Sequence, residues 1–307
     1  MNAAADMPLL RRTPWWCPGW ARSLARKSIR SGPLPLTRGP RGLLVGLLLY
    51  ALSAGHAAAG FDQPVELRYR FTWAGVPIAE LGLRHATDSK LYQTEVAIRT
   101  VGLADQLLGF RSSSHATGRY EEPDGFTASR FRSSSRSSSK SRNILVRFDR
   151  ETGDVIALEL TRRGEPDRSK VPEALQKGVV DPLTAVLQMR HLLARSGNVD
   201  GYKAAVFDGR RRFDAEARVT GRHRAEIAGL DRPVIELVID LIWLAGANAD
   251  DIDDAEAGEN RLRLKMLLSD DERLIPLRLS TMDSLLTATA EIMPECLAPA
   301  GCALVSG

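Results

Sequence analysis

The sequence offers few side chains whose type and spacing would support catalysis. Four of its five histidines lie beyond residue 60: His85, His115, His191 and His223. None belongs to a His-x-x-x-His pair, the spacing at which two helical residues share one metal ion. The chain also lacks a glycine-rich phosphate loop, a Cys-x-x-Cys pair and a Gly-x-Ser-x-Gly elbow. We therefore predict no catalytic, cofactor-binding or metal-ligating residue, and an envelope hydrolase stays open only as a triad assembled from distant segments.

Three consecutive arginines are the clearest candidates for ligand contact. Arg210, Arg211 and Arg212 follow Asp208-Gly209, a dipeptide typical of a two-residue hairpin turn, so their side chains alternate between the two faces of a strand. They could contact an anionic headgroup, or they could keep an edge strand soluble by charge, and we favour the second interpretation. With Trp73, which ends the first alternating segment, Arg210 and Arg212 are the candidate ligand contacts.

Two cysteines near the end of the chain indicate an oxidising compartment. Cys296 and Cys302 are separated by a segment whose Pro299 and Gly301 favour a turn, so we predict a small disulfide that pins the tail. A metal site would need more ligands than two thiols.

The amino-terminal 59 residues have the order of a targeting segment. They hold eight basic residues against one acidic, a net charge of +7, so the rest of a chain of net charge +4 carries −3. A short apolar run, 42–54, follows the basic region, and small residues, 55–60, follow the run. Thirteen helical residues span roughly 20 Å, less than the roughly 30 Å of a hydrocarbon core. We predict a signal peptide cleaved after Ala59 and a periplasmic protein, with an uncleaved inner-membrane anchor as the alternative, and the acidic remainder excludes nucleic acid as a partner.

Beyond the leader the chain alternates apolar and polar residues with a period of two, which predicts strands. Segment 65–73 is the first, and the turn at Ala74-Gly75 leads into a second. The total reaches a dozen or more such segments. Leucines at helical spacing predict a short helix over 102–110. Asp181-Pro182 is the strongest helix start, an acceptor followed by a residue without an N–H, and predicts a helix over 181–196 with one apolar face.

This order of elements predicts a mainly β fold, all-β or α+β. Consecutive antiparallel strands without βαβ alternation form a meander, and so wide a twisted sheet curls into an open or incomplete barrel, with the long helix on its concave or open side. The serine-rich tract 132–142 is either an anion-binding loop or a solvated, mobile connection, and the acidic stretch 249–256 either a calcium loop or solvated surface. In both we favour the second interpretation.

Several segments in this order resemble the exported bacterial family called domain of unknown function 3108 (DUF3108). They are Val65-Glu-Leu-Arg-Tyr with Trp73-Ala-Gly-Val-Pro-Ile, the runs 171–187 and 206–214, and Leu267-Leu-Ser-Asp-Asp-Glu-Arg-Leu-Ile-Pro-Leu-Arg. Leu267 departs from the tryptophan expected before the Ser-Asp-Asp turn. The resemblance implies a periplasmic or envelope protein and supplies no reaction and no catalytic residues.

We expect a leader at 1–59, one β-rich domain at 60–295 and a tail at 296–307. The leading hypothesis is a non-enzymatic envelope protein whose curved sheet encloses an apolar groove for a lipid-like or other amphipathic ligand, or for a partner's apolar segment. The alternative is a structural or interaction protein of the envelope. No cofactor is predicted, and the oligomeric state stays open.

Overall fold

The computed structural model describes residues 65–246, 260–282, 287–297 and 302. The predicted leader, most of the acidic stretch and much of the tail lie outside these residues. The described part forms fourteen strands: β1 Val65–Trp73, β2 Val76–Asp88, β3 Leu91–Thr100, β4 Arg111–Glu121, β5 Gly125–Arg136, β6 Ser141–Phe148, β7 Val155–Arg162, β8 Glu165–Pro166, β9 Tyr202–Phe207, β10 Arg212–Ile227, β11 Leu230–Ala245, β12 Arg261–Ser269, β13 Pro276–Thr281 and β14 Ala288–Ile292. Two α-helices, α1 Gly102–Leu108 and α2 Pro182–Ser196, and the one-turn 3-10 helices Glu173–Gln176 and Pro294–Leu297 complete it.

All the described strands belong to one antiparallel sheet, which confirms the mainly β prediction. The spatial order is β8-β7-β6-β5-β4-β3-β2-β1-β14-β13-β12-β11-β10-β9. Each strand pairs with its neighbour in sequence, except that β1 pairs with β14, with Tyr69 opposite Ile292. The sheet is open because β8 and β9, its two ends, do not pair with each other.

The sheet nevertheless curls until its two halves touch. The turn between β9 and β10 lies on β6 and β7, where a β-carbon on Gly209 would clash with Ile144 and lie 3.3 Å from Val146. Glycine is required at this position for two reasons: no room is left for a side chain, and the backbone φ of +93° is one that other residues rarely adopt. Residue 180 covers the outer edge of β9 through a parallel bridge to Val206. Twist accumulated over many strands produces this curvature.

The serine-rich tract is mostly strand, so the prediction of a mobile connection is wrong. Strand β5 continues to Arg136 and β6 begins at Ser141, which leaves four residues for the turn. Residues Ser133 to Ser135 of β5 pair on both sides, with β4 and with β6, and the Ser114 and Ser133 hydroxyls are 3.0 Å apart. Strand β10 continues from Arg212 to Ile227, with an irregularity of its pairing near Gly221.

Helix α2 begins and ends where the sequence predicts. The Asp181 carboxylate accepts the N–H groups of Leu183 and Thr184, both at 3.0 Å, and Gly197 ends the helix in the left-handed conformation. The expectation of a single apolar face is wrong, because the buried residues surround the helix: Thr184, Ala185, Leu187, Met189, Arg190, His191 and Leu193. Across the described ranges, neither helix has the length and apolar character that crossing a bilayer requires.

Candidate binding surface

Helix α2 fills the interior of the curled sheet. The Tyr92 hydroxyl lies 2.5 Å from the Thr184 hydroxyl, and the Gln188 amide donates to the Phe126 carbonyl at 2.8 Å. On the other side of the helix, buried Arg190 donates to the carbonyls of the β12–β13 turn, with Nε 3.0 Å from the Leu274 oxygen. Helix and sheet are thus joined by hydrogen bonds as well as by apolar packing.

Two cavities of the described structure differ from a pocket for a lipid tail. One of about 60 Å³ beside the β12–β13 turn, lined in part by Ser269, Ile275 and Ile292, has room for water only. An open depression of about 680 Å³ is lined mostly by polar side chains, among them Lys265 and Arg278. Ligand pockets are larger than the first and more apolar than the second. In the described part of the chain, side chains of α2 occupy the interior in which we expected an apolar groove.

The surface presents an apolar feature on helix α1. None of the seven residues of α1 is buried, and Leu103 and Leu107 are 71% and 69% exposed. The helix is nevertheless firmly placed. Asp105 accepts from the Thr100 hydroxyl at 2.9 Å and from both terminal nitrogens of Arg111, at 2.5 and 3.2 Å. The hydrogen bonds from Arg111 and then from Thr100 hold the pKa of Asp105 below its usual value.

Further exposed apolar residues lie at the same end of the sheet. Trp73 and Val76, cross-strand partners at the β1–β2 hairpin, are 51% and 60% exposed. Helix α1 adjoins this hairpin because the Val101 N–H donates to the Ile78 carbonyl at 3.0 Å. We call the exposed side chains at this end the apolar patch: Trp73, Val76, Leu103, Leu107 and Leu108. The sequence predicted the helix from its leucines but did not show that they would face solvent.

Cations from the serine-rich tract border the apolar patch. The Ser138 N–H donates to the Leu108 carbonyl at 3.0 Å, which places the β5–β6 turn against the end of α1. Arg136 and Lys140 flank this turn and are exposed. Arg136 lies opposite Arg111 across β4 and β5, and Arg111 is already paired with Asp105. Within the described ranges neither Arg136 nor Lys140 forms an ion pair.

The three candidate arginines differ in their surroundings. Arg212 is buried and pairs with Asp214 at 2.8 Å, so it cannot contact a ligand at the surface. Its strand β10 lies between β9 and β11, which also rules out the edge-strand interpretation. Arg211 pairs with Asp208 at 2.9 Å and lies over the Trp243 ring.

Arg210 is partly exposed and, in the described structure, its side chain forms no ion pair. Asp208 accepts the backbone N–H of Arg210 at 2.8 Å and fixes the turn, which the Asp-Gly signal predicted. Arg210 thereby remains a candidate ligand contact, as does Trp73.

Two of the histidines are buried and held by hydrogen bonds and ring packing. Buried His85 lies between the hydroxyls of Thr94 and Thr87, at 2.8 and 3.3 Å. Buried His191 packs edge-on against Tyr120, with Nδ1 4.0 Å from a Glu122 oxygen. Such contacts anchor a ring in a packed interior.

The other two histidines lie on strands. Burial lowers the pKa of His115, which lies between Glu95 and Arg132 on neighbouring strands. His223 is partly exposed, 3.9 Å from Glu236. In the residues that the structure describes, no group of three His, Cys, Asp or Glu side chains is placed to hold a metal ion.

Cys296 and Cys302 form a disulfide at the edge of β1. The Arg68 N–H donates to the Cys296 sulfur at 3.3 Å, and the Met293 N–H donates to the Arg68 carbonyl at 2.8 Å. The residues after β14 therefore continue along β1, beyond the last β1–β14 pair.

Comparison with known proteins adds a family and a distant structural likeness. A family model described as protein of unknown function (DUF3108) matches residues 68–292. Among solved structures, the crystal structure of a β-barrel-like protein of domain of unknown function DUF1849 from Brucella abortus is similar at 11% sequence identity. It covers 76% of this chain and 98% of that chain, with a TM-score of 0.47. No curated protein matches the chain.

Proposed function

Because the chain belongs to the DUF3108 family, for which no function is known, we propose a function from its own surface. It is a non-enzymatic protein of the cell envelope that binds an anionic lipid surface through the apolar patch. The observation that carries this proposal is a helix fixed by polar contacts that exposes its leucines to water.

The apolar patch has the composition of a membrane-contacting surface. Transfer of leucine and tryptophan side chains out of water favours binding, and contiguous exposed apolar surface on a folded protein marks an interaction site. The Asp105–Arg111 pair and the bond between Val101 and Ile78 hold α1 in place, so little order has to be gained on binding. Tryptophan favours the interface between lipid and water.

The bordering cations favour an anionic lipid surface as the occupant. Arg136 and Lys140 flank the turn that touches Leu108, and a cation beside an anionic bilayer contributes about 1 kcal/mol to binding. In a membrane, acyl chains lie beneath acidic headgroups. The apolar patch would contact the acyl chains, and the unpaired cations at its border would contact the headgroups.

Two features support a location in the envelope. Residues 1–59 have the basic, apolar and small-residue order of a signal peptide. The disulfide between Cys296 and Cys302 belongs to an oxidising compartment.

Vesicle sedimentation of the exported protein tests the proposal. The protein should sediment with vesicles of phosphatidylcholine and phosphatidylglycerol, and less with phosphatidylcholine alone. Leu107→Gln should reduce binding several-fold without changing stability, because Leu107 supports no core. Leu91→Gln is the matched control, since Leu91 is 60% exposed and lies at the opposite end of β3. On vesicle binding, the emission of Trp73 should move to shorter wavelength.

Equal sedimentation of the wild type and Leu107→Gln would contradict the proposal, as would failure of the wild type to bind anionic vesicles. A photo-crosslinker at position 107 that captures one envelope protein in cells, with no vesicle binding, would instead support the alternative of a structural or interaction protein.

A further inference from the structure

Two arginines face each other at the end of the sheet that carries the apolar patch. Arg142 on β6 and Arg162 on β7 are direct cross-strand partners, an arrangement in which like charges repel. Each lies two residues from a member of the Ile144–Leu160 pair, so both side chains point to the face on which the β9–β10 turn packs.

That turn brings a third guanidinium. Arg210 follows Gly209, which is in contact with Ile144 and Leu160. Burial, and then the charges of Arg210 and Arg162, lower the pKa of Arg142, which agrees with three guanidinium groups lying close together.

The neighbouring carboxylates form no ion pair with these arginines in the described residues. Asp208 is paired with Arg211 at 2.9 Å. Asp167 acts electrostatically on Arg142 without an ion-pair contact, and Glu165, the cross-strand partner of Arg162, is exposed. The buried Nε of Arg142 has no hydrogen-bond partner, and in the described part of the chain none of the three arginines forms an ion pair.

We infer that Arg142, Arg162 and Arg210 form a binding site for the phosphate group of a ligand. Guanidinium groups recognise phosphate with paired hydrogen bonds, and three of them from separate elements match an anion of more than one negative charge. Ser135, opposite Arg142 on β5, adds a hydroxyl close to the site. Bound phosphate removes the repulsion between Arg142 and Arg162. The site does not depend on the apolar patch, although a lipid bound at this end could supply the phosphate.

Calorimetric titration of the exported protein tests the inference with two probes. Inorganic phosphate measures the site alone, and dihexanoyl phosphatidic acid below its micelle concentration measures a lipid headgroup. Both should bind, and Arg162→Gln and Arg210→Gln should each weaken binding at least tenfold. Arg147→Gln is the matched control, because Arg147 is exposed on the opposite face of β6. Tighter binding of the lipid identifies a headgroup, and equal binding identifies free phosphate.

Thermal unfolding separates a binding role from a structural one. Phosphate should raise the melting temperature of the wild type and not that of Arg162→Gln, whereas without phosphate Arg162→Gln should be at least as stable as the wild type. Unchanged affinity in both arginine variants, or no binding of either probe, would overturn the inference. Phosphate binding that fails while vesicle binding persists removes this inference and leaves the proposed function intact.

Discussion

Replacing Asp181 with asparagine should change how the stability of the protein depends on pH. Asp181 is fully buried, and its carboxylate accepts the N–H groups of Leu183 and Thr184 and the Thr184 hydroxyl. The Thr184 hydroxyl can in turn accept from Tyr92. Asparagine can keep the capping contacts but carries no charge.

The magnitude follows from the cost of burying a carboxylate. Burial raises the pKa of Asp181 to about 6, against the lowering effect of its hydrogen bonds from Thr184 and Leu183. An unfolded aspartate titrates near 3.9, so between these values the folded state binds the proton more tightly than the unfolded state. The free energy of unfolding therefore falls as the pH rises through this window. A pKa difference of two units changes the free energy of unfolding by about 3 kcal/mol over the whole titration. About 2 kcal/mol of this change occurs between about pH 4.5 and about pH 7.5.

Urea denaturation followed by circular dichroism measures the effect. The stability of the wild type minus that of Asp181→Asn should decrease by about 2 kcal/mol over that pH interval. Asp181→Ser, a second neutral cap, should give the same dependence. A difference that is flat with pH, or that increases toward neutral pH, would refute the argument that burial controls this carboxylate.

Three further predictions concern the helix and the tail. Leu187→Ala should lower the free energy of unfolding by about 2–5 kcal/mol, whereas Leu192→Ala, a change at a partly exposed position of the same helix, should cost less than about 1 kcal/mol; urea denaturation compares the two. Arg190→Met should destabilise by about 1–3 kcal/mol in the same assay, because it removes the buried donor to the β12–β13 turn; an unchanged midpoint would show that this bond contributes nothing. Replacing Cys296 and Cys302 with serine should cost about 2 kcal/mol and speed amide hydrogen exchange at the edge of β1 more than within α2; equal changes in exchange at both places would contradict a local role.

Much of the fold could be predicted because its signals are local. Strand β1 spans the predicted residues 65–73, and the turns at Ala74-Gly75 and Asp208-Gly209 occur where those dipeptides stand. The start of α2 also depends on two adjacent residues, Asp181 and Pro182. Serine, by contrast, favours neither strand nor loop strongly, so the extension of β5 to Arg136 depends on the partners β4 and β6, which the sequence does not display.

The candidate sites depend on contacts between distant segments. Arg210 was singled out from its own neighbours in sequence, but Arg142 and Arg162 join it only because the sheet curls and the β9–β10 turn meets β6 and β7. Grouping Arg212 with Arg210 as a ligand contact was wrong, because Arg212 is buried. The alternation of side chains along a strand predicts which face a residue lies on, but it does not predict whether other residues cover that face. The sequence also did not predict that α2 fills the interior, because the burial of α2 on several sides results from the curvature of the sheet.

The pairing of the first strand with the last means that the middle of the sheet is the last part that the chain can complete. The hydrogen bond from Arg68 to Cys296 spans 228 residues, and closing so long a loop is slow and entropically costly. Until β14 arrives, β1 presents an unpaired backbone edge that can recruit strands from other molecules. A chain delivered amino terminus first carries this edge through nearly all of its synthesis, and a holding chaperone that covers β1 would protect it from aggregation.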